Sequence, residues 1–208
     1  MLMRRLVLSS KSPRRSVLLR YLLDEFDVDA TDVVEIAPRA LPVAEALEVI
    51  SRKKALATSV RRPDDWILAA DTVVVQWNQL LGKARSPQDT RSRLRALSGE
   101  THEVVTGLAL ARGEQCVDAE SVTTKVRFDV LEERLIYEYV RSEAWVGKAG
   151  GYGIQDKLLA PHIHVVDGPW SNVVGLPLAA TKVLLERNGI ACAEPPSEAR
   201  ARLETRFE

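Results

Sequence analysis

The sequence predicts an α/β fold in which helices flank a mixed, twisted sheet. Apolar runs typical of strands alternate along the chain with segments of helical periodicity, which is the pattern of α/β proteins. Two strand-like runs are separated by a short turn, which predicts an antiparallel hairpin within the sheet. The 208 residues are 46% hydrophobic and 28% charged, a balance that supports a folded core and argues against disorder.

The first part of the chain contains two predicted strands and two predicted helices. Residues 6–8 form a short apolar run typical of a buried strand. Ser12 and Pro13 have the residue types favoured at a helix N-cap and at the first helical position, so we expect the first helix to begin there. Residues 26–36 alternate in polarity and predict a strand, and residues 44–58 place apolar side chains at helical spacing.

The middle of the chain contains the longest predicted strands. A turn at 63–65 precedes residues 66–75, a nearly continuous apolar run that predicts a buried strand. A Ser-Pro pair opens the predicted third helix at 86–97, and a Ser-Gly pair follows it. Strands over 102–111 and 116–128 are expected on either side of the hairpin turn.

The last part of the chain returns to short elements. We predict a helix at 132–141, a glycine-rich loop at 147–153, a strand at 163–167 and a helix at 176–186. From Glu194 onward the sequence is polar and includes prolines. We therefore expect one domain over 1–190 and a polar tail over 191–208.

Charge, hydropathy and cysteine content argue against several classes of partner. Lys plus Arg and Asp plus Glu both number 29, so no basic excess indicates nucleic acid. No apolar stretch approaches the roughly 20 residues that cross a bilayer, so we expect no membrane span. Cys116 and Cys192 have neither zinc nor redox spacing, and we expect reduced thiols in a cytoplasmic protein.

A polar segment with two arginines lies where the first strand leads into the first helix. Helix N-termini attract phosphate because their amides are unpaired and the helix dipole is positive there. Arg14 and Arg15 would add planar donor groups that suit phosphate. The alternative is a capped helix with solvated arginines, and the residue types alone leave both interpretations open.

A carboxylate, Asp71, interrupts the predicted buried strand at 66–75. A carboxylate is costly to bury unless it is paired or binds a cation. Asp71 is therefore a candidate general base or metal ligand. The alternative is a strand that ends and bends at Asp71 and leaves the carboxylate in water.

Two further segments are candidates for ligand contact. Lys83 follows Gly82, whose backbone can approach a ligand closely, although a surface turn lysine also explains this pair. Four glycines within 147–153 predict an unusual backbone that admits a ligand or, alternatively, a flexible loop. Gln155 follows this loop and has donor and acceptor atoms that can read a base edge.

The histidines predict structural roles. His102 begins a strand, and a single histidine is more often structural than catalytic. His162 and His164 point to one face of a strand, but without a third ligand they predict no metal site.

These segments, in this order and at these separations, resemble the Maf family of nucleoside triphosphate pyrophosphatases. The matching stretches are Ser-Pro-Arg-Arg at 12–15, Ala-Asp-Thr at 70–72, Gly-Lys-Ala at 82–84, Leu-Ser-Gly-Glu-Thr-His at 97–102, Thr-Gly at 106–107, Lys-Ala-Gly-Gly-Tyr-Gly-Ile-Gln at 148–155 and Val-Val-Gly-Leu-Pro-Leu at 173–178. Each stretch is weak by itself, but the ordered set is specific and covers about residues 6–185. The resemblance implies a Maf/ITPase-like fold with two lobes around a deep cleft.

The resemblance also implies an activity and its site. It implies hydrolysis of dTTP and UTP to the monophosphate and pyrophosphate, with Asp71 accepting a proton from the attacking water. Base specificity would depend on Arg14, Thr72 and Gln155, the residue types of the dTTP/UTP subclass. A divalent cation, Mg²⁺ or Mn²⁺, would be held by Asp71 and Glu35, because hard cations prefer oxygen ligands.

By the same matching, four residues would contact phosphates: Ser10, Arg15, Lys54 and Lys83. Lys54 has a neighbouring lysine, Lys53, which also fits the position. The expected partner is a small nucleotide, with no nucleic acid and no membrane, and a homodimer is possible.

The chain departs from the family pattern at several positions. Ala84 stands where proline is usual, Gly147 replaces a common aspartate, and Asp156 replaces a common glycine. Residues 158–162 also lack the usual glycine. The last two departures lie beside Gln155, so they bear on base preference more than on reaction type.

Other functions remain open from the sequence. One is a non-enzymatic regulator, since Maf-like proteins are also linked to inhibition of septum formation. Another is a house-cleaning hydrolase of modified nucleotides with a different base preference. A P-loop nucleotide binder is disfavoured because Gly82-Lys83 lacks the upstream glycine and the following Ser or Thr.

Overall fold

The structure, a computed structural model, describes residues 5–30, 32–33, 38 and 40–195. Its strands are β1 (Leu6–Ser9), β2 (Asp27–Val28), β3 (Trp66–Gln76), β4 (Gln79–Leu81), β5 (Thr101–Arg112), β6 (Gln115–Phe128) and β7 (Ile163–Asp167). Its helices are α1 (Pro13–Leu19), α2 (Val43–Ser59), α3 (Pro87–Leu97), α4 (Glu133–Arg141), α5 (Trp170–Val174) and α6 (Leu178–Arg187), with a 3₁₀ turn at Ala160–His162.

In the described part of the chain, seven strands form a mixed sheet. The strand order is β2-β1-β3-β5-β6-β7, and β4 pairs with β3 outside this path. β1 runs parallel to β2 and β3, whereas β4 is antiparallel to β3 and β7 is antiparallel to β6. The predicted α/β class with a mixed sheet and flanking helices is therefore confirmed.

The described chain divides into two compact units. The first is drawn from Met1–Asp71, Thr106–Val122 and Gly175–Ala199, and the second from Thr72–Val105 and Thr123–Val174. Neither unit is continuous in sequence, because the chain passes from one to the other within β3, β5 and β6. The single domain over 1–190 and the deep cleft stay predictions.

Small residues let α2 pack closely on the sheet in the first unit. One fully buried apolar cluster there consists of Val7, Ala55, Ile67, Ala69, Ala109 and Ala111. A Cβ at Gly107 of β5 would lie 2.4 Å from the carbonyl carbon and oxygen of Leu47 in α2. The Ser51 hydroxyl donates a hydrogen bond of 2.9 Å to the Gly107 carbonyl. Glycine is required at 107 because the helix backbone touches the strand there.

Two helices pack side by side in the second unit. Ser86 caps α3 by accepting a hydrogen bond of 3.1 Å from the Asp89 N–H, as its place before a proline predicts. Arg91 and Arg95 of α3 donate to Glu133 at the start of α4, at 3.1 and 2.5 Å. These contacts fix the helices that flank the second unit's part of the sheet.

Most predicted elements are present with small shifts at their ends. The predictions at 44–58, 66–75, 86–97, 132–141 and 163–167 are each confirmed as an element of the predicted type. The last helix begins at Leu178 rather than 176, because Pro177 is extended and disfavours a helical residue before it. None of the helices within the described ranges is long and apolar enough to cross a membrane.

The strand predicted over 26–36 is wrong in its extent. Among its described residues, only Asp27–Val28 pairs, and residues 29, 30, 32 and 33 lie outside any strand. Residues 34–36 lie outside the described residues. Alternating polarity predicts which side chains are exposed, but it does not show whether a neighbouring strand is available for pairing.

The sequence patterns do not predict β4 or α5. β4 forms a hairpin with β3 through Trp77 and Asn78, whose φ angles of 45° and 61° are left-handed. Two-residue hairpins favour this backbone, and asparagine adopts it readily, but tryptophan is an unusual first residue for such a turn. The hairpin signal in the sequence is correspondingly weak.

Candidate active site

A serine and an arginine follow β1 in the first unit. β1 ends at Ser9, α1 begins at Pro13, and Ser12 is the N-cap residue as predicted. Ser10 is buried, and its hydroxyl accepts hydrogen bonds of 3.2 Å from the Ser12 N–H and of 3.2 Å from Arg15 Nη1. The Ser10 hydroxyl therefore links the loop between β1 and α1 to the first turn of α1.

Arg15 connects this loop to the backbone of two other segments. Its Nη1 donates to the Ala70 carbonyl at 2.8 Å, and its Nε donates to the Gly175 carbonyl at 2.7 Å. A planar guanidinium suits such contacts because its donors have fixed directions. Ala70 directly precedes Asp71, so Arg15 helps to fix the strand that carries the candidate base. Contact between Arg15 and phosphate stays a prediction.

Asp71 of β3 forms an ion pair with Lys54 of α2. Their side chains are 15% and 10% exposed, respectively. Losing hydration is costly for both charges, so each one needs the other in this place. β3 continues through Asp71 to Gln76, so the alternative of a strand that ends and bends there is wrong.

Lys54 is directed inward by the packing of α2 on β1. The Ser9 hydroxyl lies 2.8 Å from the Thr58 hydroxyl and donates to the Lys54 carbonyl at 3.4 Å. Lys54 is buried, whereas its neighbour Lys53 is exposed. Of the two lysines that fit the sequence motif, the structure therefore brings Lys54 to Asp71.

Two other site residues are predicted from this part of the sequence. Arg14 is half-buried on α1. Glu35, the second predicted metal ligand, lies outside the described residues.

In the second unit, the segment with Lys83 pairs with the glycine-rich segment. Lys83 and Ala149 form an antiparallel β-bridge. The Gly150 N–H lies 3.0 Å from the carbonyl oxygens of both Leu81 and Gly82. The glycine-rich segment is thus hydrogen-bonded in place, which disfavours the flexible-loop alternative, while the Lys83 side chain is exposed to solvent.

Gln155 has an unsatisfied acceptor in its buried side chain. The residue is 8% exposed, and its Oε1 has no hydrogen-bond partner among the described residues. A buried polar atom without a partner costs about 1–3 kcal/mol, and native proteins rarely leave one. The amide oxygen is therefore available to a donor supplied by a ligand. Thr72, the third predicted specificity residue, is half-buried in β3.

Asp156, at a position where the family pattern has glycine, forms a buried polar cluster beside Gln155. Its carboxylate forms an ion pair with Lys148 and accepts a hydrogen bond of 2.6 Å from the Tyr139 hydroxyl. Sequence reasoning found Asp156 as a departure but assigned it no role. The signal in the sequence was an aspartate in place of the usual glycine, directly after Gln155.

His102 belongs to an aromatic cluster of the second unit, as a structural role predicts. It is 3% exposed, its Nε2 lies 2.6 Å from the Tyr152 hydroxyl, and its ring packs edge-on against Phe128 at 5.3 Å. Burial lowers the pKa of the His102 imidazole to about 4. Burial also raises the pKa of Tyr152 well above its ordinary value. Both side chains are neutral at pH 7.

His162 and His164 lie near one carboxylate. His164 Nε2 is 3.0 Å from Asp129, and His162 Nδ1 is 4.0 Å away from it. Across the described ranges, no group of three or more His, Cys, Asp or Glu side chains is arranged to hold a metal ion.

Each unit thus brings some of the predicted residues together. The first unit joins Ser10 to Arg15, holds Arg15 against the backbone before Asp71, and pairs Asp71 with Lys54. The second unit joins the Lys83 segment to the glycine-rich segment. Convergence of all these segments on one pocket stays a prediction.

Comparison with known proteins shows which family this chain resembles. The profile of the Maf family, described as Maf-like protein, matches residues 5–188. A dTTP/UTP pyrophosphatase of Myxococcus xanthus is 44% identical over 190 residues, which cover 89% of this chain and 93% of that protein. The dTTP/UTP pyrophosphatase of Rhodospirillum rubrum is 40% identical over 190 residues, covering 88% of each chain. That of Pyrococcus furiosus is 38% identical over 186 residues, covering 88% of this chain and 95% of its own.

Proposed function

We propose that this chain, which belongs to the Maf family, hydrolyses dTTP and UTP to the corresponding monophosphate and pyrophosphate. The observation that carries the proposal is its identity of 38–44% with three proteins named dTTP/UTP pyrophosphatase, over most of each chain. The buried pair of Asp71 and Lys54 supports it, because a nearly buried carboxylate beside a cation suits acid–base work on an anionic substrate. The cytoplasm is the proposed place of action, and both cysteines are free thiols.

The proposed reaction is attack of water on the α-phosphorus, with pyrophosphate leaving. Asp71 accepts the proton of the attacking water. The charge that builds up on the phosphate oxygens is balanced by Lys54, with further donors from Ser10, Arg15 and Lys83. The nearly buried pair of Asp71 and Lys54 keeps an acceptor and a cation side by side.

Base selection is assigned to Arg14, Thr72 and Gln155. Uracil and thymine carry an N–H donor at ring position 3, whereas cytosine has an acceptor there. The buried Oε1 of Gln155, which has no hydrogen-bond partner among the described residues, is an acceptor that complements the N–H donor of uracil and thymine. A ligand that would leave a buried polar atom of the site unpaired is rejected strongly.

The proposed cofactor is a divalent cation that takes oxygen ligands, and Asp71 is the candidate ligand among the described residues. Mg²⁺ is usually bound by one or two carboxylates together with substrate phosphates, rather than by a cage of protein ligands. Asp71 supplies one carboxylate, Glu35 is the proposed second, and no cluster of three ligating side chains exists in the described ranges. Mg²⁺ or Mn²⁺ would supply charge neutralisation at the phosphate oxygens.

The test is a panel of triphosphates incubated with purified protein, with and without Mg²⁺. We expect pyrophosphate release from dTTP and UTP, with CTP and GTP at least about tenfold slower. Release from none of them would overturn the proposed activity and favour a non-enzymatic role. Faster release from a modified pyrimidine or from a purine would keep the reaction and replace the substrate.

A further inference from the structure

Asp156 follows Gln155 directly, and its carboxylate contacts two other segments of the chain. It accepts a hydrogen bond of 2.6 Å from the hydroxyl of Tyr139 in α4. It also forms an ion pair with Lys148 at the start of the glycine-rich segment. One side chain therefore connects a helix, the glycine-rich segment and the turn that carries Gln155.

The backbone of Asp156 closes the turn on both sides of that carboxylate. Its N–H donates to the Gly153 carbonyl at 3.0 Å, so residues 153–156 form a tight turn with Gln155 inside it. Its carbonyl oxygen accepts from the N–H groups of Leu159 and Ala160 at 2.9 and 2.8 Å. Movement of Asp156 therefore displaces the backbone of Gln155.

The Asp156 carboxylate occupies the space that a side chain at Gly153 would need. A Cβ built at this position would lie 2.7 Å from Asp156 Oδ2 and 2.8 Å from Oδ1. The carboxylate cannot yield, because Tyr139 and Lys148 hold it from other directions. The turn and the ion pair are thus packed as one body.

The Asp156–Lys148 pair differs from a surface ion pair. The two side chains are only 12% and 11% exposed. A pair removed from water is screened little by salt, and breaking it is costly in a poorly solvated place. The pair therefore keeps its two side chains in one arrangement, whereas exposed ion pairs form and break readily.

We propose that Asp156 is a positioning residue for base selection, which holds Gln155 in place through its contacts with Lys148, Tyr139 and Gly153. The inference rests on the proposed function, because Gln155 is the residue assigned there to the base. Asp156 touches no reacting atom in this assignment and acts only through Gln155. Its loss should therefore change which base binds and how tightly, while the chemical step stays the same.

Two substitutions and a matched control test this role. Asp156→Asn keeps an acceptor for Tyr139 but removes the charge that pairs with Lys148, and Tyr139→Phe removes only the hydroxyl donor. Asp167→Asn makes the same chemical change at an exposed residue at the end of β7. Kinetics with dTTP, UTP and CTP are measured for each, together with calorimetric titration of UMP and CMP, which reports base binding without turnover.

We expect KM for dTTP and UTP to rise about five- to tenfold in Asp156→Asn, with kcat within about twofold of wild type. The preference for UMP over CMP should fall by a similar factor, and Tyr139→Phe should show the same changes more weakly. Asp167→Asn should match wild type. A purely structural role would lower the melting temperature and the amount of active protein, but it would leave the base preference unchanged.

The outcomes separate the two proposals. A wild-type protein that hydrolyses neither dTTP nor UTP overturns the proposed function, and the nucleotide titrations still decide the role of Asp156. An unchanged base preference and unchanged KM in Asp156→Asn, in a protein that does hydrolyse UTP, overturn the positioning role alone. If Asp156→Asn does not fold, the same readouts in Tyr139→Phe decide.

Discussion

Lys54 and Asp71 place opposite charges almost out of water, and each makes the other tolerable there. Both positions come from ordinary packing: Lys54 turns inward with α2, and Asp71 faces it from β3. Arg15 adds a contact with the carbonyl of the preceding residue, Ala70. At the scale of single residues, the candidate base is therefore held in place by its neighbours.

Replacing the candidate base should abolish turnover without unfolding the protein. Asp71→Asn keeps an oxygen acceptor for Lys54 but cannot take a proton, so we expect kcat to fall about 10²–10⁴-fold. Pyrophosphate release measures the rate, and circular dichroism checks the fold. Asp64→Asn, an exposed turn residue of the same unit, is the control. Wild-type turnover in Asp71→Asn would remove Asp71 from the mechanism.

The two adjacent lysines of α2 should behave differently. Lys54→Met strands the carboxylate of Asp71 in a nearly buried place, so we expect the free energy of unfolding to fall by about 2–4 kcal/mol. Lys53→Met changes an exposed side chain and should change it by less than about 0.5 kcal/mol. Urea denaturation of both variants measures the difference. Equal effects would contradict the buried pair.

His102 predicts a loss of stability in mild acid. Burial lowers the pKa of its imidazole from 6.5 to about 4 in the folded protein, so between these values the unfolded chain binds one proton more. The free energy of unfolding then falls as the pH drops, by up to about 1.4 kcal/mol per pH unit, and this contribution is fully present above pH 6.5.

The variant His102→Gln should lack that slope. Urea unfolding of both proteins at several values between pH 7 and pH 4.5 gives the comparison, since other titrating groups contribute equally to each. If the two curves run parallel across this window, the depressed pKa of His102 is refuted.

At the scale of elements, the contact between α2 and β5 at Gly107 sets a strict limit. A Cβ there would meet the backbone of Leu47, which cannot rotate away as a side chain would. Gly107→Ala should lower the free energy of unfolding by about 1–3 kcal/mol or prevent folding. Gly82→Ala, which places its methyl in open space, should be nearly neutral. A wild-type unfolding midpoint in Gly107→Ala would contradict the close packing.

The elements that sequence reasoning predicted correctly share a local cause. Ser86 and Pro87 define the start of α3, and the apolar run within 66–75 has no solvent-facing period and must be buried in β3. The strand over 26–36 and the hairpin at Trp77 depend instead on which segment lies next to them. Partners distant in sequence leave no local signal, so these elements were predicted wrongly or missed.

At the scale of the whole molecule, the fold should not depend on the proposed cation. The charge of Asp71 is balanced by Lys54, so removing metal leaves no unpaired charge at this position. We expect EDTA to abolish turnover and Mg²⁺ or Mn²⁺ to restore it, while the melting temperature shifts by less than about 2 °C, as for a weakly bound ion. Full turnover in EDTA would remove the metal from the proposal.

The sequence predicted the identity of the candidate residues better than their surroundings. Asp71 was recognisable because a carboxylate inside an apolar strand needs a partner, but only the structure shows that Lys54 is this partner. The contacts of Arg15 with two backbone carbonyls could not be predicted, because backbone acceptors carry no sequence signal. The ion pair between Asp156 and Lys148 could not be predicted either, because no general rule pairs a carboxylate with a lysine at this spacing in a loop.

The space shared by Gly153 and the Asp156 carboxylate constrains the order in which this turn can evolve. The φ angle of Gly153 is not left-handed, and the nearest atoms that a Cβ there would meet belong to the Asp156 carboxylate. A shorter residue at 156 would make room for a side chain at 153. A larger residue at 153 beside Asp156 would instead clash with its carboxylate and disrupt the turn. A directed-evolution campaign that seeks new base preferences should therefore mutate 156 before 153, and double mutants should survive where the single Gly153 mutants fail.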